Sequence, residues 1–371
     1  MKLNNLHLIN FKNYAEADFQ FDAEICCFTG KNGSGKTNLL DAIHYLSLCK
    51  SHFNPADSQN IKHEEEFFVV EGEFEVDEQI DRIFCAVKKG QAKSFKRNKK
   101  AYDKLSDHIG RYPSVMITPN DVDLLKGGSE ERRKFIDKII CQYDKRYLEY
   151  LMSYNKVLQQ RNNLLKYFQE NRTFDQEQLD VWNEQLVDYG AYLFTQRKAF
   201  LTDFEPLFSD FYAKISEEAE SVSIEYKSQL FQGNFEDLLI SCQQEDRRRA
   251  YSTLGLHKDD LILKIGDYPI KKFGSQGQQK SLIISMRLAQ FQFMKNVTKI
   301  TPVLLLDDIF DKLDDYRVKS LMELVSDGMF GQIFITDTSD ERMLEIFNKI
   351  GLNYALFPIR NGQCIKEESL V

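Results

Sequence analysis

One segment of the chain has the residue types and the spacing of a phosphate-binding loop. Residues 30 to 37 read GKNGSGKT and match G-x-x-x-x-G-K-[ST] without a gap. Glycines let backbone N–H groups curl around a phosphate, Lys36 supplies a point charge, and the Thr37 hydroxyl is a magnesium ligand. The pattern therefore predicts binding of ATP or GTP with Mg²⁺. The predicted contacts are Gly30, Lys31, Asn32, Gly33, Ser34, Gly35, Lys36, Thr37 and Asn38.

A second segment places two carboxylates directly after an apolar strand. In TPVLLLDDIF, charge appears only at the end of the run, where an α/β site is expected. Asp307 is predicted to face the magnesium ion, and Asp308 is predicted to polarise the attacking water beside the catalytic Lys36. Because Asp is one methylene shorter than Glu, Asp308 favours slow hydrolysis. A solvated acidic loop is the alternative for either carboxylate.

A polar, flexible turn precedes a strongly apolar helix late in the chain. Residues 273 to 281 read FGSQGQQKS, with two glycines, three glutamines and one charge. Apolar residues follow at helical spacing and predict a buried stripe. Its members are Leu282, Met286, Ala289 and Phe293. By itself the turn is either a plain surface turn or a helix start that faces a phosphate.

Three regions with different residue patterns contain these segments. Residues 1–119 favour strands, residues 120–250 favour long amphipathic helices, and residues 251–371 alternate between short apolar strands and helices. The alternation indicates a parallel α/β sheet. The simplest assembly joins the first and third regions into one α/β domain, from which the helical region projects as an insertion.

The composition limits the function classes. The net charge of −8 argues against a protein that coats nucleic acid indiscriminately, so DNA binding requires a local patch. The N-terminal segment lacks the features of a signal peptide, and no apolar run reaches the length of a membrane helix. Seven scattered cysteines without zinc-ligand spacing indicate reduced thiols. We therefore expect a cytoplasmic protein.

These segments together resemble one known family. The phosphate loop, the helical insertion, GSQGQQ, LLLDD and DKLDDYR resemble an ABC-type ATPase head of the SMC and RecF kind. INFKNY, RNNLLK, DVWNEQLVDYGA, GLHKDDL and VMITPNDVDLLKGGSEERRKFID are similar to the RecF family in particular. The resemblance extends from about Leu3 to Asp337. It implies an α/β fold of the ABC-type P-loop head, a mixed sheet with flanking helices and an inserted α-helical arm.

The resemblance also implies residue roles. In this family the signature segment closes over the γ-phosphate held by a partner's phosphate loop; here it comprises Ser275, Gln276, Gly277 and Gln278. DKLDD implies a D-loop with Asp311 and Asp314. Lys12 stands near the nucleotide, where the family usually has arginine. Asn120 and Asp121 both lie in the place of the glutamine of transporter cassettes, and which of them takes that role stays open.

The function implied by the resemblance is a weak, DNA-associated ATPase. It would form a homodimer on ATP and bind duplex DNA near single-strand gaps. With RecR and RecO it would help to load RecA in recombinational repair and SOS induction. Slow hydrolysis would then release it. The strand end QIFITDTS offers Thr336 or Thr338 in place of the switch histidine of transporters.

A local basic segment is the candidate for DNA contact. Residues 88–104 hold seven lysines and one arginine against one aspartate. Phosphate neutralisation by such a patch is independent of base sequence and sensitive to salt. Lys96, Arg97, Lys99 and Lys100 are the predicted contacts, and a solvated hairpin is the alternative. The basic runs 132–134 and 247–249 could contact DNA or pair with nearby acids, and the sequence leaves both open.

Three other function classes compete with this one. The helical insertion and the basic segment would be unexplained in a transporter energy module. An SMC-like head requires an insertion of hundreds of residues, and the insertion here is about 130 residues long. A P-loop kinase leaves the signature segment unexplained.

Overall fold

The computed structural model describes residues 1–216, 220–310, 313–326, 328–350 and 354–364. The strands, in chain order, are β1 (Lys2–Phe11), β2 (Tyr14–Gln20), β3 (Ile25–Thr29), β4 (Phe67–Val76), β5 (Gln79–Lys88), β6 (Ser94–Arg97), β7 (Lys100–Ala101), β8 (Ser114–Ile117), β9 (Val222–Lys227), β10 (Asp260–Ile265), β11 (Tyr268–Pro269), β12 (Val303–Leu306), β13 (Ile333–Asp337), β14 (Tyr354–Arg360) and β15 (Gln363–Cys364). The α-helices are α1 (Lys36–Leu48), α2 (Asp123–Lys126), α3 (Ser129–Tyr143), α4 (Lys145–Asn171), α5 (Gln176–Ile215), α6 (Phe235–Arg249), α7 (Ile270–Phe273), α8 (Gln276–Thr298), α9 (Asp315–Ser326) and α10 (Asp340–Ile350).

The chain divides into two compact units. The first comprises Met1–Asp121, Phe211–Ala219 and Lys280–Val371, and the second comprises Val122–Asp210 and Glu220–Gln279. The second unit extends beyond residue 250, the predicted end of the insertion, and carries the signature segment. Among the helices of the described residues, none combines the length and the apolar character needed to cross a membrane.

A largely parallel sheet forms the centre of the first unit. Its strand order is β15-β14-β3-β13-β12-β8, and β15 is the antiparallel member at its edge. Every residue of β3, β12 and β13 is buried, as expected for parallel strands covered on both faces. The apolar strand predicted before Asp307 and the strand predicted to end in QIFITD are therefore confirmed as β12 and β13. Parallel pairing brings the carboxyl ends of β3, β13 and β12 to one edge.

The first unit also contains an antiparallel sheet with the order β2-β1-β4-β5-β6-β7. In β4 every second residue from Phe68 to Phe74 is buried, among them Phe68, Val70 and Phe74. Side chains of this sheet, of α1 and of the parallel sheet share one apolar core. In that core Phe21 meets Phe334 edge-to-face, with 4.8 Å between ring centroids.

The second unit contains the helices α3, α4 and α6, most of α5, and a small antiparallel sheet with the order β11-β10-β9. Buried ion pairs hold its elements together. Arg197 of α5 pairs with Asp137 of α3 at 3.0 Å and with Asp259 at 2.9 Å. Arg161 of α4 pairs with Asp246 of α6 at 2.7 Å, and both side chains are fully buried. The charged residues of RNNLLK and GLHKDDL thus have structural partners within this unit.

Candidate functional site

The phosphate loop joins β3 to α1 at the carboxyl edge of the parallel sheet. Gly30 and Gly35 have φ angles of 144° and 118°, which L side chains rarely adopt. A Cβ at Gly30 would lie 2.3 Å from the carbonyl oxygen of Ile359, and one at Gly35 would lie 2.6 Å from Asn13. Glycine is therefore required at both positions by conformation and by space.

The side chain of Lys36 is held inside the loop. It is 4% exposed, and its Nζ donates to the carbonyl oxygens of Gly30 at 2.7 Å and of Lys31 at 3.2 Å. Lys31, Asn32 and Gly33 are exposed at the loop surface. A cation enclosed by a loop with exposed backbone is an arrangement suited to phosphate.

Two residues before the loop fasten it, and sequence reasoning missed them. Asn13 Nδ2 donates to the carbonyl of Ser34 at 3.0 Å, and the Tyr14 hydroxyl donates to the carbonyl of Gly35 at 3.1 Å. Asn38 Nδ2 in turn donates to Asn13 Oδ1 at 2.7 Å. The only signal in the sequence was their position in INFKNY.

Thr37 and Asp307 are adjacent in space. The Thr37 hydroxyl donates to Asp307 Oδ1 at 2.8 Å, although the two residues are 270 positions apart in the chain. The Thr336 hydroxyl, from the intervening strand β13, donates to the same oxygen at 2.9 Å. Burial raises the pKa of Asp307, while the hydrogen bonds from these two hydroxyl groups act in the opposite direction.

Asp308 occupies a strained position beside this pair. Its φ angle of 45° lies in the left-handed region, and its backbone N–H donates to the Thr336 hydroxyl oxygen at 2.9 Å. Asp308 lines a cleft of about 150 Å³ together with Lys36, Thr37 and Asn38. The structure therefore brings both predicted carboxylates to the phosphate loop.

A larger cleft lies on another side of the loop. It has a volume of about 700 Å³. Its lining comes from the loop itself and from the ends of β13 and β14, including Thr338, Asp340 and Asn361. Of the two threonines considered at the end of β13, Thr336 therefore holds the carboxylates and Thr338 faces this cleft.

Lys12 belongs to a separate network. It has a φ angle of 52°, and its Nζ pairs with the fully buried Asp41 at 2.6 Å. The ammonium group also lies over the ring of Phe53, 5.2 Å from the centroid. Asp41 accepts from Ser51 Oγ at 2.6 Å as well. In the structure the charge of Lys12 is therefore neutralised by Asp41 of α1. The predicted contact of Lys12 with the nucleotide stays a prediction.

The signature segment starts α8 through a reciprocal pair of hydrogen bonds. Ser275 Oγ accepts from the backbone N–H of Gln278 at 3.2 Å, and Gln278 Oε1 accepts from the N–H of Ser275 at 2.7 Å. This is a capping box, a local reason for Ser and Gln at this spacing. Ser275 and Gln276 are exposed. The predicted stripe Leu282, Met286, Ala289 and Phe293 is buried.

The D-loop is described in part. Asp311 lies outside the described residues. Asp314 accepts from the backbone N–H of Arg317 at 3.0 Å and forms an ion pair with the Arg317 guanidinium. Arg317 Nε also donates to Ser281 Oγ at 2.7 Å. Asp314 thus stabilises the start of α9, and its catalytic role stays a prediction.

The basic segment contains cations that pair with acids and cations that are exposed to solvent. Lys93 pairs with Asp57 at 2.9 Å, and Arg97 pairs with Asp81 at 2.8 Å. Lys96 lies over the ring of Phe84, whereas Lys99 in the turn after β6 and Lys100 at the start of β7 are exposed. Among the four predicted contacts, Lys99 and Lys100 are thus the ones that face solvent.

Comparison with known proteins decides the family. The family model described as RecF/RecN/SMC N terminal domain matches residues 2–357. The DNA replication and repair protein RecF of Flavobacterium johnsoniae is 51% identical over 96% of this chain and 99% of its own length. The chain belongs to the RecF family. The RecF protein of Phocaeicola vulgatus is 47% identical over 100% of both sequences.

Solved structures agree with this family. The recombination mediator protein RecF-ATP in the RecFOR pathway matches with a TM-score of 0.87 at 28% identity, over 100% of this chain and 97% of that one. An Smc head bound to the C-winged helix domain of ScpA matches with a TM-score of 0.58 at 18% identity, over 100% of this chain and 98% of that one, which is a likeness of fold. The predicted RecF resemblance and the ABC-type head fold are confirmed.

Proposed function

We propose that this chain is an ATP-dependent DNA-binding recombination mediator of the RecF type. The observation that carries the proposal is the 2.8 Å hydrogen bond between Thr37 and Asp307, beside the enclosed Lys36. A plain glycine turn requires neither the buried cation nor a carboxylate from a distant strand. ATP is the proposed nucleotide because the related RecF structure is described with ATP.

The oxygen donors at this point fit Mg²⁺. A threonine hydroxyl and a carboxylate, 2.8 Å apart, are hard ligands of the kind magnesium prefers. Thr37 and Asp307 would hold the ion, which would supply positive charge to offset that of the nucleotide's phosphates. Lys36 binds the same phosphates, and the Asp308 carboxylate orients and polarises the attacking water. The restricted reach of Asp308 makes the hydrolysis slow.

The proposed active form is a homodimer that encloses two nucleotides. In it, Ser275, Gln276, Gly277 and Gln278 contact the γ-phosphate on the partner's loop, and Asp314 of the D-loop lies at the same interface. The exposure of Ser275 and Gln276 supports this role. An exposed aromatic pair, Tyr268 and Phe273, precedes the signature with 5.4 Å between ring centroids and is suited to burial against a second copy. Hydrolysis removes the γ-phosphate contacts and lets the two copies part.

The proposed target is duplex DNA near single-strand gaps. The relatives are named for DNA replication and repair, and the related structure for the RecFOR pathway. RecR and RecO are accordingly the proposed partners, and loading of RecA is the proposed outcome. The exposed Lys99 and Lys100 are the proposed DNA contacts in the first unit.

An isosteric pair of substitutions tests the shared site. Ser275→Asp and Ser275→Asn both keep an acceptor that caps α8, so helix stability is preserved in each. The aspartate places a negative charge against the partner's γ-phosphate, and the asparagine does not. We expect light scattering to show ATP-dependent dimers for the wild type and the asparagine variant, and monomers for the aspartate variant. With ADP all three proteins should be monomers.

Binding of a fluorescent ATP analogue provides the control. Both variants should bind the analogue as the wild type does, because Ser275 is proposed to contact the partner's nucleotide. An aspartate variant that dimerises on ATP like the wild type contradicts the shared site. Failure of the wild type to bind the analogue contradicts the proposed function as a whole.

A further inference from the structure

The second unit contains a cationic cleft that the proposed ATP site does not use. The cleft has a volume of about 560 Å³ and lies where the end of α4, the α4–α5 connection and the last turns of α6 meet. Three arginines line it, together with two glutamines and two phenylalanines. These residues are Arg172, Arg247, Arg248, Gln169, Gln244, Phe168 and Phe174.

Two of the three arginines have no carboxylate partner among the described residues. Arg248 shares Glu245 with the neighbouring Arg249, which neutralises one charge. Arg172 and Arg247 are exposed, and within the described part of the chain neither forms an ion pair. In a chain with a net charge of −8, acids outnumber cations, so two arginines without an acidic partner stand out. The cleft therefore keeps two available guanidinium groups.

The Arg247 guanidinium is held in place. It lies over the ring of Phe174, 3.7 Å from the centroid, which fixes its plane beside the cleft. A cation that only offsets the dipole at the end of a helix is not held by an aromatic ring. Arg247 is held by Phe174, which belongs to the α4–α5 connection and not to α6. A planar guanidinium held this way can bind a phosphate through two parallel hydrogen bonds.

Contacts between the helices stabilise the walls of the cleft. Gln169 Nε2 donates to the carbonyl of Arg248 at 3.0 Å, which joins the end of α4 to the end of α6. Earlier in α4, the fully buried Arg161 binds Asp246 at 2.7 Å and Asn183 of α5 at 2.7 Å. The arginine of RNNLLK thus supports the platform that carries the exposed arginines.

The chemistry of the lining favours a phosphate backbone over an acidic peptide. A peptide requires apolar anchors, but Phe168 is 5% exposed and one face of Phe174 is covered by Arg247. The same covered rings are poorly placed for stacking of single-stranded bases. Guanidinium groups with glutamine amides at their side are donors suited to phosphate oxygens.

We infer that this cleft binds the phosphate backbone of duplex DNA. The inference rests on the proposed function, to which it adds a DNA contact on the arm, separate from the basic segment of the first unit. Such a contact is independent of base sequence and weakens with salt.

The test compares two charge-matched double variants in the full chain. Arg172→Gln/Arg247→Gln removes the two available cations of the cleft. Lys227→Gln/Lys319→Gln removes two exposed cations that are already paired with glutamates away from the cleft. Fluorescence anisotropy of a labelled duplex is measured with ATP over a range of salt concentrations. Thermal unfolding establishes that the variants fold, and Arg172→Gln alone serves if uncovering Phe174 lowers stability.

We expect the cleft variant to bind duplex DNA more weakly, with a slope of log affinity against log salt that is shallower by about 1 to 2, whereas the control keeps the wild-type slope. Equal affinities and slopes in the two double variants overturn the inference and leave the proposed function intact. A wild-type protein that binds ATP but no duplex overturns the inference together with the proposed DNA binding.

Discussion

Arg287 of α8 and Asp121, which follows β8, form a bidentate ion pair in which the carboxylate is buried. Arg287 Nη2 lies 2.5 Å from Asp121 Oδ1, and Nε lies 3.0 Å from Oδ2. Asp121 also accepts from the backbone N–H of Thr118 at 3.0 Å. Asn120, by contrast, is exposed. We therefore propose that Asn120 takes the place of the transporter glutamine, and that Asp121 anchors the helix that the signature segment starts.

The ion pair predicts a large loss of stability for a one-sided substitution. Arg287→Met leaves the Asp121 carboxylate buried without its cation, which costs about 3–5 kcal/mol. The double variant with Asp121→Asn should recover part of this loss, since the uncompensated charge is gone. Chemical denaturation measures both. Equal stabilities of the single and double variants contradict the coupling.

Substitution of Asp307 is expected to raise the stability of the protein and to abolish its activity. Because burial raises its pKa, the ionised carboxylate destabilises the folded state at neutral pH, and this penalty disappears as pH falls through the raised folded pKa toward the ordinary value. Asp307→Asn keeps an acceptor for Thr37 and should raise the melting temperature of the nucleotide-free protein at pH 7. The gain should shrink as pH is lowered, while Mg²⁺-dependent hydrolysis is lost. A gain that does not change with pH contradicts the assignment.

Asp308 predicts a variant that binds ATP and retains it. Asp308→Asn removes the proposed base and should slow hydrolysis by about 10²–10⁴-fold. Nucleotide affinity should change little, because Lys36 and the loop backbone hold the phosphates. The dimer formed on ATP should consequently outlast that of the wild type in a chase with ADP. Phosphate release at the wild-type rate excludes Asp308 as the base.

Substitutions in the basic segment are expected to differ between its exposed lysines and its paired arginine. Lys99→Gln/Lys100→Gln should make the salt dependence of duplex binding shallower by about 1 to 2 and leave the melting temperature unchanged. Arg97→Gln should lower the melting temperature, because it leaves the buried Asp81 without the cation at 2.8 Å.

A matched control separates contact from overall charge. Lys227→Gln/Lys319→Gln removes two exposed lysines that are paired with glutamates elsewhere. It should leave the salt slope unchanged. If it has the same effect as the Lys99 and Lys100 pair, the turn has no specific role in DNA binding.

Local signals were sufficient for some elements and insufficient for others. The strand, glycine loop and helix around Lys36 follow from neighbouring residues, and so does the buried stripe of α8. The count of cations in residues 88–104 overstated the surface available to DNA, because the pairing of Lys93 and Arg97 involves acids distant in the sequence. The alternation of strands and helices did not reveal the antiparallel sheet as a second layer, since burial on one face depends on what packs there.

The amino-acid sequence by itself determined the phosphate loop, the acidic strand end and the family, because each is a pattern of neighbouring residues. The tertiary structure alone decided that Thr37 meets Asp307, that Thr336 supports both carboxylates, and that Arg172 and Arg247 share one cleft. The physical reason is the order of β3, β13 and β12 in the parallel sheet and the packing of helices in the arm. The strand order and the helix packing each bring together segments that are distant in the chain. Such a meeting leaves no pattern among neighbouring residues.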